Sequence, residues 1–152
     1  MTEADFMKRE IPLAKRTLAL AMVDLPRVIV CGPRSGAGKS TLLGFMLREW
    51  ALRNAKAGVK RRGLFLSAHK FVEGGFDLEK EWSSADLVAL DDLGSEKKIA
   101  SSLTLSFLEM RTSDAKPLWI TTPCDEDGLA EAYNSESIGR RAYALAMRLP
   151  VD

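Results

Sequence analysis

The sequence predicts an α/β protein with a five-stranded, mostly parallel sheet and helices on both faces. Short apolar runs alternate with helical patterns along the chain, and two of these runs end in polar motifs. Alternating strands and helices are typical of parallel sheets, because each parallel connection needs a crossover, usually a helix. With 152 residues, 46% of them apolar, the chain is expected to form one domain with a sizeable core.

The elements follow from the apolar periodicity. The short apolar runs predict strands at 27–31, 64–68, 87–90, 117–122 and 147–151. Helical spacing predicts helices at 40–54, 101–111, 128–133 and 137–145, with a short helix or loop at 70–82 that Gly74-Gly75 breaks. Residues 3–22 also show roughly helical spacing, interrupted by Pro12. We therefore expect a helical lead-in over residues 1–26 and an α/β domain over residues 27–152.

The first strand leads into a glycine-rich turn. The turn and the start of the next helix contain Gly32, Pro33, Arg34, Ser35, Gly36, Ala37, Gly38, Lys39, Ser40 and Thr41. A glycine-rich turn between a strand and a helix is the context of a phosphate-binding loop, since backbone N–H groups converge there on phosphate oxygens. Lys39 is expected to reach the β- and γ-phosphates of ATP, and the Ser40 hydroxyl to bind Mg²⁺. The motif predicts a P-loop nucleotide-binding protein.

The spacing of this motif departs from the standard P-loop at one position. Counted back from Lys39, the first glycine of the G-x-x-x-x-G-K-[ST] pattern falls on Pro33, and Gly32 stands one residue earlier. Either the loop is one residue longer than usual, or Gly32 takes the turning role from a displaced position.

Paired carboxylates follow the third predicted strand. Asp91 and Asp92 come directly after its apolar run, and ligands of open α/β sheets bind at such strand ends. An acidic pair alone is more typical of a helix cap or a solvated turn. After a phosphate-binding loop it favours a Walker B motif, in which Asp91 holds Mg²⁺ through water and Asp92 orients or deprotonates the attacking water.

The composition of the chain excludes only a few classes of protein. A net charge of +1 gives no general attraction to nucleic acid, although local basic patches remain possible. Cys31 and Cys124 lack zinc-site spacing and are expected to be reduced and structural. The sequence shows no signal peptide and no apolar run near the ~20 residues of a membrane helix, so we expect a cytoplasmic protein without a membrane partner.

The run Asp91-Asp92-Leu93-Gly94-Ser95-Glu96 resembles the helicase-loader branch of the AAA+ ATPases, the DnaC and IstB-like proteins. Residues 116–122 are similar to the family's sensor strand, and residues 129–133 and 137–141 to its short helix and arginine-finger box. The resemblance covers roughly residues 27–151. It implies an AAA+ type of sheet and ATP hydrolysis with Mg²⁺, and we expect no separate lid domain.

The resemblance also implies partners. Arg141 falls on the arginine finger that reaches the γ-phosphate of a neighbouring subunit, and Arg140 takes that role if the match shifts by one residue. Without the resemblance, an exposed arginine paired with Glu136 is the simpler interpretation. The family implies self-assembly into a ring or helical oligomer, a replicative helicase as partner, contact with single-stranded DNA, and a role in DNA replication or transposition.

One departure from the family leaves open whether the chain hydrolyses ATP. Pro123 stands where the family's sensor strand usually has Asn, and proline has no side-chain hydrogen-bonding group. The Thr122 or Thr121 hydroxyl is the candidate replacement, with Thr122 assigned to the catalytic group. The alternative functions are a nucleotide-gated binding module with little or no hydrolysis and a P-loop kinase. The absence of an arginine-rich lid segment disfavours the kinase.

Two further features have competing interpretations. The basic run Lys60-Arg61-Arg62 is a candidate for tracking a single-stranded phosphate backbone, although a solvated linker is the simpler interpretation. Glu96 is expected either to support the acidic site or to be a carboxylate at a helix start. The three tryptophans are scattered along the chain, which favours core or half-buried positions over a base-stacking platform.

Overall fold

A computed structural model of the chain describes residues 11–34 and 38–151. The helices are α1 Leu13–Met22, α2 Lys39–Lys56, α3 Ala68–Gly74, α4 Glu79–Ser84, α5 Ser101–Ser113, α6 Glu126–Tyr133 and α7 Glu136–Tyr143. A 3₁₀ turn, Gly75–Leu78, joins α3 to α4. The strands are β1 Arg27–Cys31, β2 Gly63–Ser67, β3 Leu87–Asp91, β4 Leu118–Thr122 and β5 Met147–Pro150. The predicted strands are confirmed to within one residue at each end.

All five strands are parallel, in the order β2-β3-β4-β1-β5. The last residue of β1, Cys31, pairs with the last residue of β4, Thr122. In the same way Ser67 at the end of β2 pairs with Asp91 at the end of β3. Because parallel strands share a direction, the residues that follow β1, β3 and β4 all meet at one edge of the sheet. We call this the carboxyl edge.

The core lies on both faces of the sheet, as the sequence predicts. Alternate residues of one strand point to opposite faces. Val28 and Val30 of β1 pack with α1 and α2, whereas Ile29 packs with the helices of the other face. The first face buries Ala19, Met22, Leu42, Leu43, Met46, Leu87, Ala89 and Trp119. The second buries Phe71, Trp82, Val88, Leu90, Leu103, Phe107, Ile120 and Leu129.

Side-chain caps set the start of three helices. Ser67 accepts a hydrogen bond from Lys70 N, Asp125 from Gly128 N and Ser135 from Ile138 N. Such caps satisfy N–H groups that have no partner within the helix. They explain why α6 and α7 begin one or two residues before the predicted starts, and why the predicted helix or loop at 70–82 is helical from Ala68.

A buried arginine connects α5 to the end of α4 and to the residue before β4. Arg111 of α5 is fully buried, and its guanidinium donates to the carbonyls of Trp82, Ala85 and Pro117. Burial lowers the pKa of Arg111 to about 10. Trp82 and Trp119 are also buried and Trp50 is half-buried, which confirms the predicted place of the tryptophans. Across the described ranges, no helix has the length and apolar character needed to cross a bilayer.

Candidate functional site

The turn after β1 and the start of α2 form one side of the candidate site. Gly38 caps α2 with a φ of 90°, a left-handed conformation that glycine adopts without strain. The Lys39 side chain is buried, and its Nζ donates to Gly32 O at 2.9 Å and to Arg34 O at 2.8 Å. The ammonium group is therefore held against the backbone of the residues that follow β1. The predicted loop residues 35–37 lie outside the described residues.

Close packing explains the displaced glycine of the motif. A Cβ on Gly32 would lie 1.8 Å from Val151 O, which follows β5. Val151 N in turn donates to Cys31 O at 2.8 Å, so the end of β5 lies directly against the turn. Only glycine fits this approach. Pro33, at the position of the usual glycine, is exposed.

Asp91 is the centre of the other side of the site. It ends β3, and its two carboxylate oxygens both accept from Ser40 Oγ at 2.8 Å. Thr121 Oγ1 of β4 donates to Asp91 Oδ1 at 2.6 Å. The structure thus joins the two predicted motifs at the carboxyl edge. Hydroxyl and carboxylate oxygens are ligands that Mg²⁺ prefers, and together they fit one such ion.

Asp92 lies at the surface beside this cluster. Its φ is 65°, an uncommon left-handed conformation for a residue other than glycine. Its backbone N donates to Thr121 Oγ1 at 2.7 Å, and its Oδ1 accepts from Ser95 Oγ at 3.1 Å. Because such a backbone conformation costs free energy, neighbouring contacts must hold it in place.

The two threonines at the end of β4, the predicted sensor strand, have different partners. Thr122 is fully buried, and its Oγ1 donates to Leu93 O at 2.6 Å and accepts from Cys124 N at 3.1 Å. Thr121 Oγ1 contacts both acids, as described above. The contacts therefore favour Thr121 as the hydroxyl that acts on the acidic pair. The catalytic assignment of Thr122 stays a prediction.

Comparison with known proteins shows which solved structures share this fold. No family model matches this chain, and no curated protein matches it significantly in sequence. Among solved structures, DnaI matches with a TM-score of 0.72 and 17% identity, covering 97% of this chain and 87% of that one. A candidate primosome component from Streptococcus pyogenes serotype M3 matches with a TM-score of 0.75 and 16% identity, covering 94% and 82% of the two chains. AMPPCP-bound DnaA from Aquifex aeolicus matches with a TM-score of 0.70 and 17% identity over 97% of this chain and 49% of that one.

The chain has the P-loop AAA+ fold. The predicted fold class is confirmed, and so is the predicted resemblance at the level of the fold. The turn after β1 and the end of β3, which the sequence predicts to be the phosphate-binding loop and the Walker B motif, lie at the same edge of this sheet.

A buried polar pair lies next to the turn after β3, the predicted Walker B turn, and the sequence predicts a role for only one member of the pair. Glu96 and Tyr133 are both buried, and the Tyr133 hydroxyl donates to Glu96 Oε2. Gly94 N donates to Glu96 Oε1 at 2.6 Å. Glu96 is not at a helix start, since α5 begins at Ser101. Nothing in the sequence near Tyr133 indicates this contact, because the partner lies 37 residues away.

The candidate finger Arg141 lies apart from the described residues of the predicted phosphate-binding loop of its own chain. Its Nη2 forms an ion pair with Glu109 Oε1 of α5 at 3.3 Å, not with Glu136. Its carbonyl accepts from Arg27 Nη2 at 2.8 Å, at the start of β1, whereas the loop follows the other end of that strand. Its neighbour Arg140 is exposed.

The basic run before β2 divides into two parts. Arg62 N donates to Asp86 Oδ2 at 2.7 Å, and its guanidinium donates to Glu81 O and to Ser84 Oγ, both at 2.7 Å. Arg62 therefore joins β2 to the end of α4. Lys60 and Arg61 are exposed. They precede the amino end of β2, at the edge of the sheet opposite the carboxyl edge.

Proposed function

We propose that this AAA+ domain binds ATP with Mg²⁺, hydrolyses it in an assembled form, and acts in DNA replication or transposition by loading or remodelling a helicase. One observation is central to the proposal. Ser40, Asp91 and Thr121 form a continuous hydrogen-bonded cluster directly beside Lys39, with Asp92 at its border. This cluster unites a phosphate-binding element, a metal-binding pair and an exposed carboxylate.

ATP binding is supported by the position of Lys39. Its ammonium group contacts two loop carbonyls, and phosphate oxygens are stronger acceptors because they are charged. We propose that the β- and γ-phosphates replace these carbonyls as partners of Nζ. The matching DnaA structure was solved with AMPPCP, which is consistent with a triphosphate ligand for this fold.

Hydrolysis is supported by the acidic pair. Ser40 and Asp91 would hold Mg²⁺, which when bound neutralises charge on the phosphate oxygens. Asp92 is the exposed carboxylate next to that site, and we propose that it accepts the proton of the attacking water. Thr121 fixes both acids, since its hydroxyl bonds the Asp91 carboxylate and the Asp92 backbone.

Assembly is proposed from the place of Arg141. Its backbone lies near the start of β1, at the opposite end of the strand from its own phosphate-binding loop. An arginine in that position is available to the site of a neighbouring copy, where it would offset charge in the transition state. A finger supplied between subunits makes hydrolysis depend on assembly.

The role in replication or transposition rests on the resemblance of residues 91–96 to the helicase loaders and on the fold shared with DnaI and a candidate primosome component. A further matching structure is a DnaA bound to AMPPCP and single-stranded DNA. We therefore include single-stranded DNA and a replicative helicase among the proposed partners.

The test is the rate of ATP hydrolysis per monomer, measured by phosphate release over a wide range of protein concentration, with and without single-stranded DNA. We expect the rate to rise with concentration and again with DNA, because the active sites are completed between subunits. A negligible rate at every concentration, with ATP still bound, would contradict hydrolysis and support the nucleotide-gated binding module that Pro123 favours. Phosphate transfer to an added small-molecule acceptor would support the kinase instead.

A further inference from the structure

The Walker B turn of this chain is backed by a polar cluster that the proposed chemistry does not use. Glu96 is 8% exposed and Tyr133 is 2% exposed. Gly94 N donates to Glu96 Oε1 at 2.6 Å and lies 3.1 Å from the Tyr133 hydroxyl, which itself donates to Glu96 Oε2. A carboxylate, a phenol and one backbone N–H thus form a closed triangle.

The charge of Glu96 is satisfied by neutral donors. Among the described residues, the ion pairs do not include Glu96. A buried carboxylate is costly unless it is hydrogen-bonded, so both of its donors must stay in place. Burial raises the pKa of Tyr133 above its ordinary value, and the nearby Glu96 charge raises it further. Tyr133 therefore keeps its proton and remains a donor at neutral pH.

The triangle holds the turn that presents Asp92. Gly94 is two residues beyond Asp92, whose φ of 65° needs external support. Between them, Leu93 is fixed from the other side, since its N donates to Thr121 O at 2.9 Å and its carbonyl accepts from Thr122 Oγ1. The turn is thus clamped by β4 on one side and by Tyr133 of α6 on the other.

We propose that Glu96 and Tyr133 are positioning residues for hydrolysis, which fix the Asp92 carboxylate through their hydrogen bonds to Gly94. The proposal rests on the proposed function, since it assigns Asp92 to the attacking water. Both residues act through the turn, not on the substrate. Nucleotide binding depends on Lys39 and Ser40, which lie on α2, so it is independent of this clamp.

The test is the pair of variants Tyr133→Phe and Glu96→Gln in the full chain. Phenylalanine removes only the hydroxyl, and glutamine keeps the shape but replaces one acceptor with a donor. We expect kcat to fall about 10- to 100-fold, the loss typical of a misplaced catalytic group. The Kd for ATP and KM should stay within about twofold, since binding needs neither residue. Hydrogen exchange at the Gly94 amide should become faster in both variants.

The matched control is Tyr143→Phe. Tyr143 is likewise buried, but its hydroxyl donates to Cys124 O at 2.5 Å instead of to the clamp. It should lose stability to a similar degree with kcat unchanged. If Tyr133→Phe does not fold, the kcat and the Kd for ATP of Glu96→Gln decide whether the positioning role holds.

Different failures have different meanings. An active wild-type protein whose two variants keep full kcat overturns the positioning role and leaves the proposed function intact. A loss of kcat accompanied by an equal loss of ATP affinity also overturns it, since that is the result of a general structural defect. A wild-type protein that binds ATP without releasing phosphate overturns the proposed function, and the positioning role falls with it.

Discussion

At the residue scale, the role of each polar side chain in the site follows from its hydrogen-bond partners. Ser40 and Thr121 both donate to Asp91, so this carboxylate is fixed by two hydroxyls from different elements. Lys39 is equally fixed, by two carbonyls of its own loop. Asp92 is exposed, and within residues 11–34 and 38–151 its side chain hydrogen-bonds to Ser95. The fixed groups suit binding, whereas the exposed carboxylate suits reaction with water.

Lys39→Ala is expected to abolish tight ATP binding. Charge-assisted hydrogen bonds contribute about 1.5–3 kcal/mol each, so losing even one bond from the ammonium group to a phosphate should weaken binding by about 10- to 150-fold. A binding isotherm with a fluorescent ATP analogue measures the effect. Lys56→Ala, at the other end of α2, is the control and should bind as the wild type does. An isotherm unchanged in Lys39→Ala would remove this lysine from the site.

Asp92→Asn is expected to leave ATP binding intact and to stop turnover. The amide keeps the shape of the side chain but is a much weaker base, and general-base catalysis typically contributes 10²- to 10⁴-fold. Parallel measurement of Kd and phosphate release separates the two effects. Asp77→Asn, an exposed carboxylate in the 3₁₀ turn, is the control. Normal turnover in Asp92→Asn would show that another group activates the water.

At the element scale, the packing of α6 on α7 sets where the arginines of α7 lie. Gly139 is the contact point, since a Cβ there would lie 2.4 Å from Glu126 O and 3.2 Å from the Ala130 side chain. The two helices are also separately capped, by Asp125 and Ser135. The small residue Gly139 therefore sets the distance between the two helices, and the polar caps Asp125 and Ser135 set where each helix begins.

Gly139→Ala is expected to destabilise the protein by about 1–3 kcal/mol, the usual cost of inserting atoms into a well-packed contact. The methyl group would meet backbone, which gives way less easily than the end of a side chain. Urea unfolding followed by circular dichroism measures the change. Arg140→Ala, exposed on the same helix, should leave the midpoint nearly unchanged. Equal midpoints for Gly139→Ala and the wild type would mean that the helices separate at little cost.

At the scale of the whole molecule, the proposed arginine finger makes hydrolysis depend on how copies of the chain meet. The Arg141 ion pair with Glu109 is a partly exposed one, with 36% of the arginine side chain accessible. Such pairs contribute only about 0–1 kcal/mol, so a neighbouring subunit can release Arg141 at small cost. Arg140 needs no such release, since it is already exposed.

Arg141→Ala is expected to bind ATP as the wild type does and to lose the rise of hydrolysis with protein concentration. Mixing it with Asp92→Asn should restore part of the activity, because each inactive variant supplies the group that the other lacks. Phosphate release across mixing ratios measures this. Arg140→Ala is the comparison that decides between the two neighbours. Absence of recovery at any ratio would argue against a finger acting between subunits.

The local parts of the site were predictable from sequence because their signals are short. Lys39, Ser40, Asp91 and Asp92 belong to contiguous motifs next to apolar strands, and the structure brings these motifs together as expected. The strands were equally predictable, since short apolar runs bounded by turn residues are typical of strands. Helix starts were less accurate, because a capping residue such as Asp125 resembles any turn residue until its partner is known.

The sequence by itself determined the α/β fold of AAA+ type and the acidic end of β3, and it predicted the phosphate-binding loop. Only the tertiary structure decided that Thr121 contacts both acids, that Tyr133 binds Glu96, and that Arg141 pairs with Glu109. It also decided that glycine at position 32 is required by Val151. The physical reason is that motifs are formed by neighbours along the chain, whereas these contacts join residues far apart in sequence whose proximity depends on the strand order and helix packing.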